Sequence, residues 1–279
     1  MEEEIPLMKR ETIRKHHQLM EELYGTSGEG QSIDKWADSR GAKPVSVLVS
    51  NERYLDPTRQ AREESLWRRY IGKGSQVLDL ACGTGYFIRR TSSLFNNGEV
   101  DFVGLDISRR ALRLAIDKSP QVGYVQGNAE ELPFDDRSFD TVLAISVMEH
   151  VLSPYRVTTE LARVLKEGGH LLLAIHRRFV DPFILPTFLA FWVRRRNPPP
   201  PDNYSPLPLW KVRSTVKQAL SAKDFNLVEK IGLIYNAEWG LYLRLFKEKR
   251  LPKLFTMGRL INRLPLHYAR DLEYWVYRK

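Results

Sequence analysis

One stretch, VLDLACGTGY from Val77 onward, constrains the fold more than any other part of the chain. An apolar run ends at Leu80, Gly83 and Gly85 follow directly, and apolar positions recur at helical spacing after Tyr86. This pattern predicts a strand, a tight turn and a helix in succession. Glycines permit a sharp turn and the close approach of a ligand, and a helix N-terminus presents unpaired N–H groups. We therefore expect the turn to form a binding loop for a nucleotide-like ligand.

Two features distinguish this loop from the dinucleotide-binding fingerprint. Ile88 occupies the position of that fingerprint's third glycine, and the acid Asp79 lies at the end of the strand. A carboxylate at this place would repel a diphosphate and attract an ammonium or sulfonium group. The loop therefore favours a cationic ligand. An ordinary strand-to-helix turn is the alternative, because a lone Gly-x-Gly pattern has low specificity.

The second apolar run, VDFVGLD, also ends in an acid, Asp106. A carboxylate at the tip of the second strand of a βαβ unit can accept hydrogen bonds from both hydroxyls of a ribose. It can equally cap the N-terminus of the helix predicted to begin at Ser108. The residues alone leave both roles open.

Strand-like and helix-like segments alternate through the middle of the chain. Strands are predicted near residues 76–81, 100–106, 122–126, 139–145 and 170–176, and helices near 84–95, 108–118 and 153–166, with a short helical piece near 129–132. This alternation indicates an α/β fold with a parallel sheet covered on both faces. Ligands bind at the carboxyl ends of such strands, where Asp79, Asp106, Asn128 and Ser146 fall.

Five ordered segments between about residues 75 and 176 resemble the motifs of class I S-adenosylmethionine-dependent methyltransferases, in particular the type 11-like small-molecule enzymes. The segments are VLDLACGTGY, VDFVGLD, VGYVQGNAEELPF, FDTVLAISVMEHV and LKEGGHLLLAI. Three positions depart from the family pattern: Ala81 replaces a glycine, Asn128 replaces the usual aspartate, and Glu167 stands where proline is common. The resemblance implies a Rossmann-like, doubly wound, mostly parallel seven-stranded sheet, with helical insertions after strand 5 and between strands 6 and 7.

The resemblance also implies S-adenosyl-L-methionine as the cofactor, with S-adenosyl-L-homocysteine as its product. The cofactor-binding residues that it implies are Asp79, Ala81, Cys82, Gly83, Thr84, Gly85, Asp106, Ile107, Asn128, Ala129 and Ser146. The side-chain oxygen of Asn128 can accept from the adenine amino group, and the backbone N–H of Ala129 can serve a ring nitrogen. We interpret Cys82 as a small packing residue within the turn.

The rest of the chain surrounds this core. Residues 1–70 are expected to form an N-terminal helical cap, 71–178 the cofactor-binding core, 179–210 an apolar, proline-rich insertion, and 211–279 the C-terminal part of the core with a basic amphipathic insertion at 236–271. The cap contains predicted helices at Glu11 to Tyr24 and Thr58 to Tyr70. Tyr54 and Arg62 are candidate contacts to the cofactor or acceptor, with an ordinary surface position as the alternative for each.

The two insertions leave several interpretations open. The first is either a lid over an apolar acceptor that touches a membrane surface or a helix packed on the domain. The second carries much of the net charge of +9, and it is either a solvated helix face, a surface for anionic lipid or a nucleic-acid contact. Its aliphatic as well as aromatic residues favour lipid or a lipophilic small molecule over nucleic acid.

The chemistry that the resemblance implies needs little from the protein, because the sulfonium methyl is already electrophilic. The protein has to hold an acceptor atom in line and exclude water. A hydroxyl acceptor also needs a base, for which His150 and His176 are the candidates. Glu149 and His150 can instead brace the following helix, and two such side chains do not make a metal site. No metal is predicted.

We therefore expect a methyltransferase that moves a methyl group to an O, N or C atom of a small, apolar acceptor of quinone-like, polyketide-like or lipid-like type. The alternatives are an RNA methyltransferase and a non-catalytic cofactor-binding partner subunit. The acidic N-terminus has no signal-peptide pattern and the longest uncharged apolar run is too short to span a bilayer, so the expected location is the cytoplasm, with peripheral membrane contact. The sequence leaves the acceptor and the oligomeric state open.

Overall fold

The structure, a computed structural model, describes residues 57–96, 98–176, 209–233 and 272–279. The helices of this part are α1 (Pro57–Tyr70), α2 (Tyr86–Ser92), α3 (Arg109–Lys118), α4 (Pro154–Val164) and α5 (Leu209–Ser221). The strands are β1 (Gln76–Leu80), β2 (Asp101–Asp106), β3 (Gly123–Gln126), β4 (Phe139–Ile145), β5 (Leu165–His176), β6 (Asn226–Leu233) and β7 (Leu272–Arg278). The predicted helix from Glu11 to Tyr24, the candidate contact Tyr54 and the insertion at 236–271 lie outside the described residues, as does nearly all of the insertion at 179–210.

The strands form one seven-stranded sheet in the order β3-β2-β1-β4-β5-β7-β6. The first five strands pair in parallel, and β7 runs antiparallel to both β5 and β6. The chain leaves β1 on one side for β2 and β3, and it returns on the other side with β4. This reversal opens a crevice at the carboxyl ends of β1 and β4, where ligands bind in such folds.

Helices cover both faces of the sheet because its central strands are apolar on both sides. On one face, α4 and α5 contribute to the core through Val157, Leu161, Val212 and Val216. On the other face, α1, α2 and α3 contribute Leu66, Trp67, Ile88 and Leu112. The predicted α/β, doubly wound sheet is confirmed.

Helix α1 is fastened to the sheet by a buried polar network. The Arg90 guanidinium donates to the Glu63 carboxylate at 2.7 Å and lies over the Trp67 ring, 4.8 Å from its centroid. The Tyr274 hydroxyl donates to the other oxygen of Glu63 at 2.9 Å. Since Glu63 is 1% exposed, this network ties α1, α2 and β7 together away from water.

Two predicted segments differ most from the structure. The strand expected at 170–176 begins at Leu165, which pairs with Phe139 before the register shifts. The short helix expected near 129–132 is wrong, because a turn closed by an Asn128–Glu131 bridge stands there. The Asn128 side chain accepts from the Glu130 N–H at 3.0 Å, which stabilises the turn in place of a helix.

Candidate cofactor site

The two glycines of the loop after β1 have different structural roles. Gly85 has φ of 73°, precedes α2, and could not accept a Cβ without placing it 2.7 Å from the Tyr124 hydroxyl. Gly83 has φ of 54°, and a Cβ there would meet nothing within 4 Å. Gly85 is therefore required by packing, whereas Gly83 lies open on the side where a ligand can approach the backbone.

The loop also contains a strained residue that has a side chain. Ala81 has φ of 60°, a conformation that costs about 1 kcal/mol for a residue with a Cβ. The Cys82 N–H donates to the Leu105 carbonyl at 3.0 Å, and the Gly85 N–H donates to the Cys82 carbonyl at 2.9 Å. These bonds hold the turn between β1 and β2. Strain of this kind is typical of functional loops.

Asp106 orients the glycine loop from the end of β2. One carboxylate oxygen accepts from the Gly83 N–H at 2.8 Å, and the other accepts from the Ser108 N–H at 2.8 Å. The cap of α3 is Ser108, whose hydroxyl accepts from the Ala111 N–H at 3.1 Å. The alternative role of Asp106 as the helix cap is therefore wrong. Its carboxylate instead lies directly beside the open glycine.

Asp79 presents a buried carboxylate at the end of the neighbouring strand. The residue is 1% exposed, and its Oδ2 has no hydrogen-bond partner among the described residues. Burial and the negative charge of Asp106 raise the pKa of Asp79 well above its ordinary value. Buried polar atoms are nearly always hydrogen-bonded, so an unpartnered one in a crevice points to a ligand that supplies a positive charge or a donor.

The remaining residues of the loop are backbone or packing contributors. Burial and the charges of Asp79 and Asp106 raise the pKa of the Cys82 thiol, which keeps it protonated and agrees with a packing role. The Thr84 carbonyl accepts from Arg89 at 2.6 Å, and the Ile107 carbonyl accepts from Gln126 at 3.1 Å.

The loop after β3, which contains Asn128 and Ala129, is held by α4. Glu130 accepts from the N–H groups of Leu152 and Ser153 at 2.8 and 3.0 Å, just before α4 begins. From within α4, Arg163 donates to the Leu132 carbonyl at 2.9 Å and to the Phe134 carbonyl at 2.7 Å. Sequence reasoning missed Glu130 as a positioning residue, although an acid directly after the Asn-Ala pair is a signal that could have identified it.

Ser146 and the candidate bases lie at the carboxyl ends of β4 and β5. Ser146 has φ of 54°, and its N–H donates to the Ala174 carbonyl at 2.9 Å across the two strands. His150 is half-buried and follows the fully buried Met148 and Glu149. The backbone of His176 pairs with Leu272 at the end of β5, while its side chain lies outside what the structure describes. The described residues contain no cluster of three or more His, Cys, Asp or Glu that could hold a metal ion.

The arrangement suits a cationic nucleoside ligand. Gly83 leaves open space, Asp106 lies beside it at the strand end, and Asp79 offers an unpartnered oxygen. S-adenosylmethionine carries a ribose, an ammonium and a sulfonium, so the residues present fit this cofactor. Asp79 would meet its positive charge and Asp106 its ribose hydroxyls.

The sequence is similar to a known protein family and to individual methyltransferases of other organisms. Residues 78–173 match the family described as a methyltransferase domain. Over 131 residues the chain is 37% identical to the ubiquinone/menaquinone biosynthesis C-methyltransferase UbiE of Pasteurella multocida (strain Pm70). That alignment covers 42% of this chain and 48% of the relative. Over 131 residues it is 34% identical to the demethylmenaquinone methyltransferase of Paenarthrobacter aurescens (strain TC1), and this alignment covers 47% of this chain and 50% of the relative. The chain thus spans about half the length of these relatives.

Among solved structures, the [4+2]-cyclase SpnF superposes with a TM-score of 0.52 over 78% of this chain and 80% of that one, at 18% identity. A likeness at this identity supports the fold alone. The similarity to the methyltransferase-domain family rests instead on the sequence match, which runs from β1 into β5 and includes the glycine loop, Asp106 and Asn128. Residues 78–173 of the chain are therefore similar to the class I S-adenosylmethionine-dependent methyltransferases.

Proposed function

We propose that this chain binds S-adenosylmethionine at the carboxyl edge of the sheet and transfers its methyl group to a small, apolar acceptor, with a quinone-type ring as the favoured class. The observation that best supports cofactor binding is the buried oxygen of Asp79, which has no hydrogen-bond partner among the described residues, in the same loop region as the open Gly83. The favoured acceptor class follows the printed names of the relatives, a quinone biosynthesis C-methyltransferase and a demethylmenaquinone methyltransferase.

Different residues at the strand ends would bind different parts of the cofactor. Gly83 gives the ligand access to the backbone, and its N–H fixes the carboxylate of Asp106 for ribose. Asn128 and Ala129 form the turn that would receive adenine, and Glu130 holds that turn against α4. Asp79 would bind the positive charge of the amino-acid part. When bound, the cofactor supplies an electrophilic methyl group.

The protein's contribution to transfer is positional. The acceptor has to approach in line at the ends of β4 and β5, where Ser146 is held to β5 and where His150 follows. A ring carbon or oxygen that attacks as a phenolate loses a proton, and an imidazole can accept it near neutral pH. We therefore propose His150 as the base, with His176 as the second candidate.

The test is methyl transfer to defined acceptors. Purified protein is incubated with radiolabelled S-adenosylmethionine and reduced short-chain quinones, and the products are separated by chromatography. We expect label in a quinol product with wild-type protein and none with Gly83→Arg. Gly74→Arg is the matched control, since Gly74 also has positive φ and open space but lies at the opposite edge of the sheet.

Two alternatives give different outcomes in the same experiment. Label in RNA and not in quinols would favour a nucleic-acid methyltransferase, which the pI of about 9.6 permits. Saturable cofactor binding with no transfer to quinols, other lipids or RNA would favour a non-catalytic partner subunit. Either outcome would overturn the proposed acceptor.

A further inference from the structure

Helices α4 and α5 both begin at the carboxyl edge of the sheet, the same edge as the cofactor site. Helix α4 follows the end of β4 and leads into the start of β5. Helix α5 leads into β6. Because β7 runs antiparallel to both β5 and β6, β6 is parallel to β5. Since β6 begins at the amino edge, α5 must begin at the carboxyl edge. The two helices also contact each other on the same face of the sheet.

Each of these helices exposes an aromatic residue followed by a cation in its first turn. Tyr155 is 39% exposed and Trp210 is 72% exposed. The next residues, Arg156 and Lys211, are also exposed. One edge of the molecule therefore presents two aromatic and two cationic side chains on neighbouring helices.

Core packing does not account for these aromatic residues, because the inner faces of both helices are already filled. Val157 and Leu161 of α4, and Val212 and Val216 of α5, are the buried residues of those faces. Tyrosine and tryptophan prefer the boundary between water and lipid, where an apolar ring and a polar group are both accommodated. Arginine and lysine beside them attract anionic headgroups. The net charge of +9 acts in the same direction over a longer range.

We propose that the first turns of α4 and α5 form a docking surface for an anionic lipid bilayer. Tyr155 and Trp210 would lie at the level of the headgroups, and Arg156 and Lys211 would contact lipid phosphates. None of the described helices is long and apolar enough to cross a membrane. His150 lies just before α4, and docking would therefore place the site of transfer next to the bilayer. That consequence rests on the proposed function, whereas the docking itself does not.

The test is sedimentation of the full chain with vesicles. Wild-type protein is mixed with vesicles of phosphatidylglycerol and phosphatidylcholine in equal parts, and separately with phosphatidylcholine alone. We expect binding to the anionic vesicles and little binding to the neutral ones. Neutralising both cations with Arg156→Gln and Lys211→Gln should lower the affinity about 30-fold. Removing both rings with Tyr155→Ala and Trp210→Ala should lower it about tenfold.

Matched controls lie at the amino edge. Lys223→Gln with Arg278→Gln removes the same charge, and Leu227→Ala with Val228→Ala trims two side chains that are 52% and 50% exposed. Each control pair should change vesicle affinity less than threefold. Equal losses in control and test pairs, or no sedimentation with anionic vesicles, would overturn the proposal. Self-association that the test pairs abolish would assign the surface to a second copy and would also overturn it.

Cofactor titration of each variant separates this proposal from the proposed function. The test pairs should bind S-adenosylmethionine as wild type does, because none of the four residues belongs to the cofactor site. Vesicle binding without cofactor binding by the wild type would leave the docking surface standing and contradict the proposed function alone.

Discussion

Asp79 and Asp106 end neighbouring strands, but only one of them has hydrogen bonds from the protein that account for both carboxylate oxygens. Asp106 accepts from the N–H groups of Gly83 and Ser108, whereas Oδ2 of Asp79 has no partner among the described residues. The protein therefore keeps one acid oriented and the other buried at a cost in stability. Buried polar groups without a hydrogen-bond partner occur at sites where a ligand supplies the missing interaction.

The pH dependence of stability should expose this cost. The pKa of Asp79 is raised in the folded protein, so the folded state holds the proton more tightly than the unfolded chain, and the carboxyl lowers stability as pH rises above its unfolded pKa. We expect Asp79→Asn to raise the Tm of the cofactor-free protein, with a larger gain at about pH 8 than at about pH 4. Thermal scans would measure it, and a gain that shrinks as pH rises would contradict the account. The same variant should bind S-adenosylmethionine more weakly.

Alanine at the two loop glycines should have unequal effects. Both have positive φ, which costs about 1 kcal/mol for alanine, but only at Gly85 would the new Cβ meet the Tyr124 hydroxyl. We expect Gly85→Ala to lower the free energy of unfolding by about 2–3 kcal/mol and Gly83→Ala by about 1 kcal/mol. Urea denaturation would compare them. Tyr124→Phe should recover part of the Gly85→Ala loss, and equal losses at the two glycines would rule out the steric explanation.

At the scale of elements, α4 positions the loop that would receive adenine. Glu130 joins this loop to the N–H groups of Leu152 and Ser153. We expect Glu130→Ala to weaken S-adenosylmethionine binding about tenfold, since it removes two charge-assisted hydrogen bonds from the loop's anchor. Glu131→Ala is the matched control, because Glu131 is an exposed acid in the same turn. Calorimetric titration would compare the two variants, and an equal effect of both would contradict the positioning role.

The network between α1, α2 and β7 should behave as a coupled unit. Arg90→Met leaves the buried carboxylate of Glu63 without its ion-pair partner, which typically costs about 3–5 kcal/mol. Adding Glu63→Gln should restore part of that loss, because the uncompensated charge disappears. Urea denaturation of the two single variants and the double variant measures the coupling. Additive losses would show that the ion pair is not coupled.

At the scale of the whole molecule, the alternation of apolar runs was enough to predict the α/β class and most strand positions. The mostly parallel, seven-stranded sheet was predicted from the family resemblance, since alternation does not specify the order or direction of strands. The turn at Asn128 was missed because a side-chain hydrogen bond to the Glu130 N–H competes with helix formation.

Long-range contacts account for the rest of what the sequence could not predict. Tyr274 and Glu63 are far apart in the chain and are brought together by the fold. The positive φ of Ala81 and Ser146 could not be predicted from the sequence either, because neither residue is a glycine. Four of the candidate cofactor residues were identifiable because they fall at strand ends, a position that the strand pattern itself defines. The other candidates came from the family resemblance.

The central claim is that the carboxyl edge of the sheet is a site for S-adenosylmethionine organised by the glycine loop. Calorimetric titration of the purified chain with S-adenosylmethionine, alongside Gly83→Arg and the control Gly74→Arg, tests it most directly. The account predicts saturable binding at one site by wild type and by Gly74→Arg, and none by a folded Gly83→Arg. Binding that survives Gly83→Arg, or no binding by wild type, would contradict it.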